Sequence, residues 1–324
     1  VMNIDKKYKV VFLGTGWESV RVLEKLHNST YFDVVSSITS PDKPVGRKQI
    51  MTPSAVKAFC LENSIPVVHT EKNKDKYMEV AKEYNPDICV CIAFGEIVPE
   101  EFLNYPKYKC INIHFSLLPK YRGAVPIQKA ILEGDNETGV CYIIMGKELD
   151  DGPIISSFTE RILPKDTNLT LRERLVDESA DRLEDVLLGF INGDLSPVEQ
   201  MDGATYCWQK DIAKEKAEII WEDMEPIYID RMVRAFIPWP IAWSKINLLV
   251  DNPLSKETVK LYDIDILDVN HNGIPAGTMF TKDNMVLIAT RDIDKCVRLN
   301  SFQISGKKQI TEKEFLNGIG RFLK

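Results

Sequence analysis

The chain has 324 residues, a length at which one hydrophobic core usually gives way to two. With 44% hydrophobic and 27% charged residues, its composition is typical of a globular protein and excludes disordered and fibrous classes. No apolar run approaches the roughly 20 residues of a membrane-spanning helix, and the N-terminal stretch lacks a secretory signal pattern. We therefore expect a cytoplasmic protein with no membrane partner.

The net charge of −7 argues at first against a nucleic-acid partner, because phosphate binding depends mainly on lysine and arginine. The acidic excess lies in residues 1–204, however, whereas residues 205–324 carry equal numbers of basic and acidic side chains. A basic face in the second part of the chain therefore stays possible.

The seven cysteines show no CxxC pair, and several lie inside apolar, strand-like runs. We interpret them as reduced core residues rather than disulfide partners or metal ligands. Cys89 and Cys91 could form a thiol pair, but residues two apart on a strand share one face as ordinary packing residues too. The few histidines and cysteines show no ligand spacing, so we expect no metal.

The chain opens with the apolar strand "YKVVFLG", a glycine turn and a helix whose apolar residues Val20, Leu23 and Leu26 recur with helical spacing. Further strands are predicted at "FDVVSSITS", "IPVVHT" and "DICVCIAF", with helices at "TPSAVKAFCLENS" and "DKYMEVAKEYN" between them. Strands that alternate with helices predict an α/β domain with a doubly wound, mostly parallel sheet covered on both faces.

The pattern changes near residues 200–208. A helical segment interrupted by Pro238 and Pro240 is followed from residue 243 by short strands separated by turns, which favours a small barrel or sandwich. We therefore predict two domains, residues 1–204 and residues 205–324.

The turn "GTGWES" at 14–19 resembles a dinucleotide-binding turn, but Ser19 stands where the third glycine of that pattern belongs. A glycine-rich turn is also needed between strand and helix in any doubly wound sheet. An NAD-dependent oxidoreductase is therefore a weak alternative.

Three polar side chains, Asn112, His114 and Asp150, follow or end predicted strands, where open α/β sheets bind ligands. An amide donor, an imidazole and a carboxylate suit acyl transfer, in which donors hold an oxyanion and an acid/base pair moves protons. The ordinary alternative is a hydrogen-bonded histidine at a strand end beside an "LDDGP" turn.

Residues 40–54 form a long polar segment between the second strand and its helix. Lys43, Arg47 and Lys48 in this segment could bind phosphates, or they could lie on a solvated loop.

Two motifs, "NIHFSLLPKYRGAVPI" at 112–127 and "LDDGP" at 149–153, closely resemble the signature of the folate-dependent formyltransferases. The resemblance covers nearly the whole chain. It implies a Rossmann-like catalytic domain, a C-terminal domain like an OB barrel, and 10-formyltetrahydrofolate as co-substrate. Asp151 stands where the family more often has threonine, and Gly16 and Trp17 replace a proline and an acidic residue.

The resemblance also implies roles for individual residues. Asn112 and His114 would stabilise the oxyanion, and Asp150 would orient and charge the histidine. The residues that would line the folate site come from "IAFGEIVP" and from the loop after His114: Phe94, Gly95, Ile97, Ser116, Leu117, Leu118, Pro119 and Arg122.

The catalytic residues do not specify the acceptor, because related hydrolases and nucleotide-sugar formyltransferases share them. The segment "SPDKPVGRKQIMTPSAVK" at 40–57 and the region from "ATYCWQK" onward resemble the family members that act on methionyl initiator tRNA. This implies a monomeric enzyme whose Lys43, Arg47 and Lys48 contact the acceptor stem. A nucleotide-amino-sugar formyltransferase and a noncatalytic RNA-binding protein stay open as alternatives.

Overall fold

The computed structural model describes residues 7–46, 48–71, 73–245, 247–249 and 257–318. The helices are α1 (Trp17–His27), α2 (Ala55–Glu62), α3 (Lys74–Tyr84), α4 (Glu100–Asn104), α5 (Pro126–Glu133), α6 (Asn168–Asn192), α7 (Pro226–Ala235) and α8 (Glu312–Asn317). The first strands are β1 (Tyr8–Gly14), β2 (Phe32–Ile38), β3 (Lys43–Val45), β4 (Ile50–Thr52), β5 (Val67–Val68), β6 (Ile88–Ile92), β7 (Cys110–His114), β8 (Arg122–Gly123), β9 (Glu137–Ile144) and β10 (Ile154–Arg161). They are followed by β11 (Tyr206–Cys207), β12 (Trp243–Lys245), β13 (Asn247–Leu248), β14 (Thr258–Leu267), β15 (Thr278–Lys282), β16 (Met285–Ala289), β17 (Cys296–Ile304) and β18 (Gln309–Thr311).

The described residues form two compact units. The first comprises residues 7–126, 137–161 and 172–206, and the second comprises 127–136, 162–171 and 207–318.

The first unit is built on a seven-stranded sheet with the strand order β10-β9-β7-β6-β1-β2-β5. The five strands from β7 to β5 are parallel, whereas β9 and β10 are antiparallel to their neighbours. This confirms the predicted Rossmann-like, parallel-rich sheet. Because the parallel strands point the same way, the segments that follow β1, β2, β6 and β7 all leave from one edge.

The two central strands β1 and β6 are largely apolar because both faces of the sheet are covered. All five residues of β6, "ICVCI", are buried, as are the last five residues of β1. The seven cysteines are all free and buried, which agrees with their interpretation as core residues.

The turn after β1 is filled by Ser19, the residue at which the dinucleotide pattern fails. A Cβ atom on Gly14 would lie 2.6 Å from the Ser19 Cβ, so glycine is required there. The Ser19 hydroxyl accepts a hydrogen bond from the Thr15 N–H (3.1 Å) and donates one to the Ile92 carbonyl (2.9 Å). The Thr15 N–H is thus engaged within the protein rather than directed at a phosphate.

Residues 40–54, predicted as a loop, contain a short antiparallel hairpin formed by β3 and β4. Its turn uses left-handed backbone at Gly46 (φ 72°) and Gln49 (φ 50°), and the Gln49 N–H donates to the Gly46 carbonyl. All six strand residues are exposed, so no buried face produced a strand pattern in the sequence.

The second unit contains a separate sheet with the order β12-β14-β17-β16-β15-β13, and β18 pairs with β17. Within the residues that the structure describes, β12 and β13 end this order and the sheet is open. A separate C-terminal sheet domain agrees with the sequence analysis, and the helix α7 ends at Ala235, shortly before Pro238.

Candidate functional site

The strand β7 carries Asn112 and His114 to the carboxyl edge of the first sheet. Asn112 lies opposite Cys91 of β6 and Ile143 of β9, and His114 lies opposite Cys141 of β9. Residues two apart on a strand share one face, so the alternation in "INIH" places the amide and the imidazole on the same side.

The imidazole of His114 is buried, with only 5% of the residue exposed. Its Nε2 lies 2.9 Å from the carbonyl oxygen of Tyr121, which can only accept, so Nε2 carries the proton that is donated. Tyr121 adopts left-handed backbone (φ 57°) in the loop that turns back over the strand end. The bond therefore leaves the lone pair of the neutral ring on Nδ1.

Asp150 faces this Nδ1. Its Oδ2 lies 3.6 Å from His114 Nδ1, which is beyond hydrogen-bond length but within ion-pair range. The same Oδ2 accepts a 2.8 Å bond from the Gly123 N–H, and Oδ1 accepts a long 3.4 Å bond from Asn112 Nδ2. The structure thus brings the three predicted catalytic residues together.

The turn that holds Asp150 follows β9. Asp150 has left-handed backbone (φ 49°), and its side chain is 13% exposed. A Cβ on Gly152 would lie 1.7 Å from the Ile144 carbonyl oxygen, so only glycine fits where "LDDGP" turns back toward β10. The geometry therefore selects Asp150, rather than the neighbouring Asp151, as the carboxylate partner of His114 and Asn112.

The loop from Ser116 to Arg122 is held by hydrogen bonds within the loop and to neighbouring segments. The buried Ser116 hydroxyl donates to the Lys120 carbonyl (2.6 Å), and the Leu118 N–H donates to Cys141 Sγ (3.4 Å). Burial raises the pKa of the Cys141 thiol to about 11, which keeps it protonated near neutral pH.

The remaining loop residues contact other parts of the first unit. Leu117 packs so closely over Gly139 that a Cβ there would lie 2.5 Å from the leucine side chain. The Pro119 carbonyl accepts from the Thr205 N–H (3.2 Å). The Arg122 guanidinium, predicted as part of the folate site, donates through Nε and Nη2 to Gln200 Oε1.

The segment after β6 contains the other predicted folate residues. Phe94 is buried in the core, Gly95 has left-handed backbone (φ 81°) with open space around a Cβ position, and Ile97 is 89% exposed. Between them, the Glu96 carboxylate turns inward and accepts hydrogen bonds from the Thr70 hydroxyl (2.6 Å) and the Tyr77 hydroxyl (3.1 Å). Burial raises the pKa of Tyr77, which therefore stays a donor.

The thiol of Cys91 lies next to this site without chemical reactivity of its own. It is buried opposite Asn112, and burial raises the pKa of its thiol far above the usual range. A thiolate nucleophile is thus unavailable at this position.

The predicted tRNA-binding lysines lie on the exposed hairpin. Lys43 begins β3 and Lys48 belongs to the turn, and both are exposed. Arg47 lies outside the described residues. The hairpin follows β2, so it leaves the sheet from the same edge as the loop after His114.

Sequence reasoning missed three residues of this constellation. Tyr121 and Gly123 act through backbone groups, and Gln200 lies in a segment without regular structure. Backbone groups leave no residue-type signal in the sequence, and a lone glutamine far along the chain carries none either.

Comparison with known proteins decides the family. The family profile described as "Formyl transferase" matches residues 8–187, and that of "Formyl transferase, C-terminal domain" matches residues 211–320. The chain belongs to the formyl transferase family. The two profile matches together span both predicted parts of the chain.

Two curated members of the formyl transferase family, both named methionyl-tRNA formyltransferase, match almost end to end. The protein of Sulfurihydrogenibium sp. is 38% identical, with 96% of each chain covered. That of Halalkalibacterium halodurans is 35% identical, with 96% of this chain and 95% of the relative covered.

Solved structures of other proteins share the fold at lower identity. An N-formyltransferase of Helicobacter canadensis, solved with folinic acid and dTDP-3-aminofucose, superposes with a TM-score of 0.65 at 21% identity and covers 91% of this chain and 99% of its own. HypX of Aquifex aeolicus, solved with tetrahydrofolic acid, gives a TM-score of 0.63 at 18% identity. The match to HypX covers 98% of this chain but 48% of HypX.

Across the part of the chain that the structure describes, no three His, Cys, Asp or Glu side chains group as metal ligands. Over the same residues, no helix has both the length and the apolar character needed to cross a membrane.

Proposed function

We propose that the protein transfers the formyl group of 10-formyltetrahydrofolate to the α-amino group of methionine on initiator tRNA. The observation that carries this proposal is the near end-to-end similarity, at 35% and 38% identity, to proteins named methionyl-tRNA formyltransferase. The convergence of Asn112, His114 and Asp150 supplies the matching chemistry.

The segment after β6 fits the folate co-substrate. Gly95 presents backbone without a side chain, and Ile97 exposes an apolar side chain next to it, a combination suited to a flat, partly apolar ring with polar edges. The inward Glu96 fixes the segment from behind. Phe94, Gly95 and Ile97, together with the loop Ser116–Leu117–Leu118–Pro119, would hold the folate.

The geometry supports different roles for Asn112 and His114 in the reaction. The Asn112 amide has a donor hydrogen beyond the one directed at Asp150, and we assign it to the formyl oxygen, which gains negative charge as the amine attacks. The His114 Nε2–H is engaged by the Tyr121 carbonyl, so the ring meets the reactants through Nδ1. This favours proton transfer, rather than oxyanion binding, as the role of His114.

Asp150 would make that proton transfer favourable. As the amine nitrogen bonds to the formyl carbon, it loses a proton to His114 Nδ1, and the imidazolium then lies 3.6 Å from the Asp150 carboxylate. When the bond between the formyl carbon and N10 breaks, the proton passes to N10 and the product is tetrahydrofolate. The Gly123 N–H holds the carboxylate in place throughout.

The hairpin would contact the acceptor end of the tRNA. Lys43 and Lys48 are exposed cations beside the exposed apolar residues Val45, Ile50 and Met51. Cations bind phosphates, and apolar side chains contact unpaired bases, so this composition suits the end of a stem. Arg47 would add a third cation.

Four further predictions accompany this function. They are a domain division at residues 204/205, closure of the C-terminal sheet into an OB-like barrel, a monomeric state and a cytoplasmic location. Each follows from the family resemblance and the sequence pattern.

One assay tests the function. Purified protein is incubated with 10-formyltetrahydrofolate and either methionyl initiator tRNA or a nucleotide-linked amino sugar. We expect formyl-methionyl-tRNA and stoichiometric tetrahydrofolate. Transfer to the amino sugar alone would identify the alternative acceptor class, and absence of transfer to either would reject the proposal.

A further inference from the structure

Gln200 makes a connection that the predicted catalytic residues do not explain. Its amide nitrogen donates to two carbonyl oxygens of the catalytic turn, those of Asp150 (2.8 Å) and Gly152 (2.9 Å). Its amide oxygen accepts from Arg122 Nε (3.1 Å) and Nη2 (2.8 Å). One side chain thus makes four hydrogen bonds to two separate segments.

Those two segments are the ones joined by the bond from the Gly123 N–H to Asp150 Oδ2. Gly123 follows Arg122 in β8, and Asp150 and Gly152 form the turn before β10. Gln200 therefore ties together, from outside the site, both backbones that fix the catalytic carboxylate. Asp150 has strained left-handed backbone (φ 49°), which persists only where surrounding contacts determine it.

We propose that Gln200 is a positioning residue that sets the distance between Asp150 and His114 during formyl transfer. The inference rests on the proposed function. Loss of the two amide donors frees the Asp150 turn, and loss of the acceptor frees Arg122 and the loop whose Tyr121 carbonyl binds His114. Arg122 is then a structural partner of Gln200 rather than a folate ligand.

The segment around Gln200 also bonds to the catalytic loops through other residues. The Val198 N–H and carbonyl pair with Ile154, and Thr205 bonds to the loop at three points, through Tyr121, Arg122 and Pro119. The segment 198–205 thereby braces the catalytic loops and runs directly into the C-terminal part of the chain. Gln200 is its only member whose side chain reaches the Asp150 turn among the bonds recorded for the described residues.

The test compares three variants of the full-length protein. Gln200→Leu removes all four bonds, Gln200→Glu keeps an acceptor for Arg122 but removes the donors, and Glu199→Leu changes an exposed neighbour as the control. We expect kcat to fall about 10- to 100-fold in both Gln200 variants, with KM for both substrates within about threefold, because small displacements in a preorganised site cost this much. Glu199→Leu should keep kcat within about twofold.

A second readout separates positioning from lost stability and does not depend on activity. In ¹⁵N-labelled protein without substrates, the His114 ring signals should report Nε2 protonation in the wild type and shift in Gln200→Leu, while those of His27 and His271 stay in place. Wild-type kcat in folded Gln200→Leu, or unchanged His114 signals, would overturn the inference. If the wild type formylates no acceptor while Gln200→Leu still shifts the His114 signals, the function is rejected and the positioning role is retained.

Discussion

Two segments leave the same edge of the first sheet and are built in opposite ways. The loop after β7 is buried or half-buried except at Lys120. Its residues Ser116, Leu118, Tyr121 and Arg122 all have hydrogen-bond partners. The hairpin after β2 exposes all six strand residues, and most of its recorded bonds stay within it.

The difference between the two segments matches their two proposed functions, proton transfer and contact with tRNA. Proton transfer needs groups held within a fraction of an ångström, so the loop is bonded at many points. Contact with a large polyanion depends on accessible charge and can tolerate adjustment on binding. The base of the hairpin is anchored by the Lys57–Asp42 ion pair and by the hydroxyl contact between Thr39 and Ser54.

The largest effects are expected from substitutions in the catalytic site beside the loop after β7. His114→Ala removes the proton acceptor. Asp150→Asn removes the negative charge of the carboxylate while leaving an oxygen that can accept from the Gly123 N–H. We expect kcat to fall by about 10³-fold in each, within the range for acid/base groups, with tRNA affinity within about twofold. Steady-state formylation and filter binding of tRNA measure the two quantities.

The matched control is Asp151→Asn, which removes the neighbouring carboxylate. It should keep kcat within about threefold. If Asp151→Asn were the defective variant and Asp150→Asn active, the choice of register in "LDDGP" would be wrong.

Substitutions in the exposed hairpin after β2 should change KM for tRNA rather than kcat. Replacing Lys43 and Lys48 together with Ala should raise KM for tRNA about 10-fold near physiological salt and leave kcat nearly unchanged. The logarithmic dependence of binding on salt should also become shallower by about one to two units, since each cation releases counterions from a phosphate. Lys82→Ala on α3 removes an exposed lysine elsewhere and should change neither the KM for tRNA nor the salt dependence. An unaltered salt dependence in the double variant would count against a contact between the hairpin and tRNA.

The same contrast explains what the sequence could predict. Apolar runs such as "ICVCI" record burial directly, so the parallel-rich sheet and the place of Asn112 and His114 at a strand end were predictable. The hairpin strands bury nothing and were predicted as a loop. Gln200 and the Tyr121 carbonyl depend on tertiary contacts across 50 and 7 residues of chain, which no local pattern records.

A smaller effect, on the KM for the formyl donor, is expected at the segment after β6 that carries Ile97. Tyr77→Phe removes one of the two recorded donors to the Glu96 carboxylate and leaves the Thr70 hydroxyl. A lost hydrogen bond costs about 1 kcal/mol, which corresponds to roughly a fivefold rise in KM for the formyl donor. Tyr105→Phe, which removes a long 3.4 Å bond to Asn85, is the control and should leave that KM unchanged.

The smallest effect tests whether the hairpin contributes to stability at all. Ile50 and Met51 are each 61% exposed, so Ile50→Ser with Met51→Ser should shift Tm by only about 2 °C or less. Ile143→Ala, at a buried position of β9 with 1% exposure, should cost about 2–5 kcal/mol and shift Tm far more. A comparable loss in both would mean that the hairpin packs against the protein, whereas the expected small shift with a raised KM for tRNA would assign its apolar side chains to the partner.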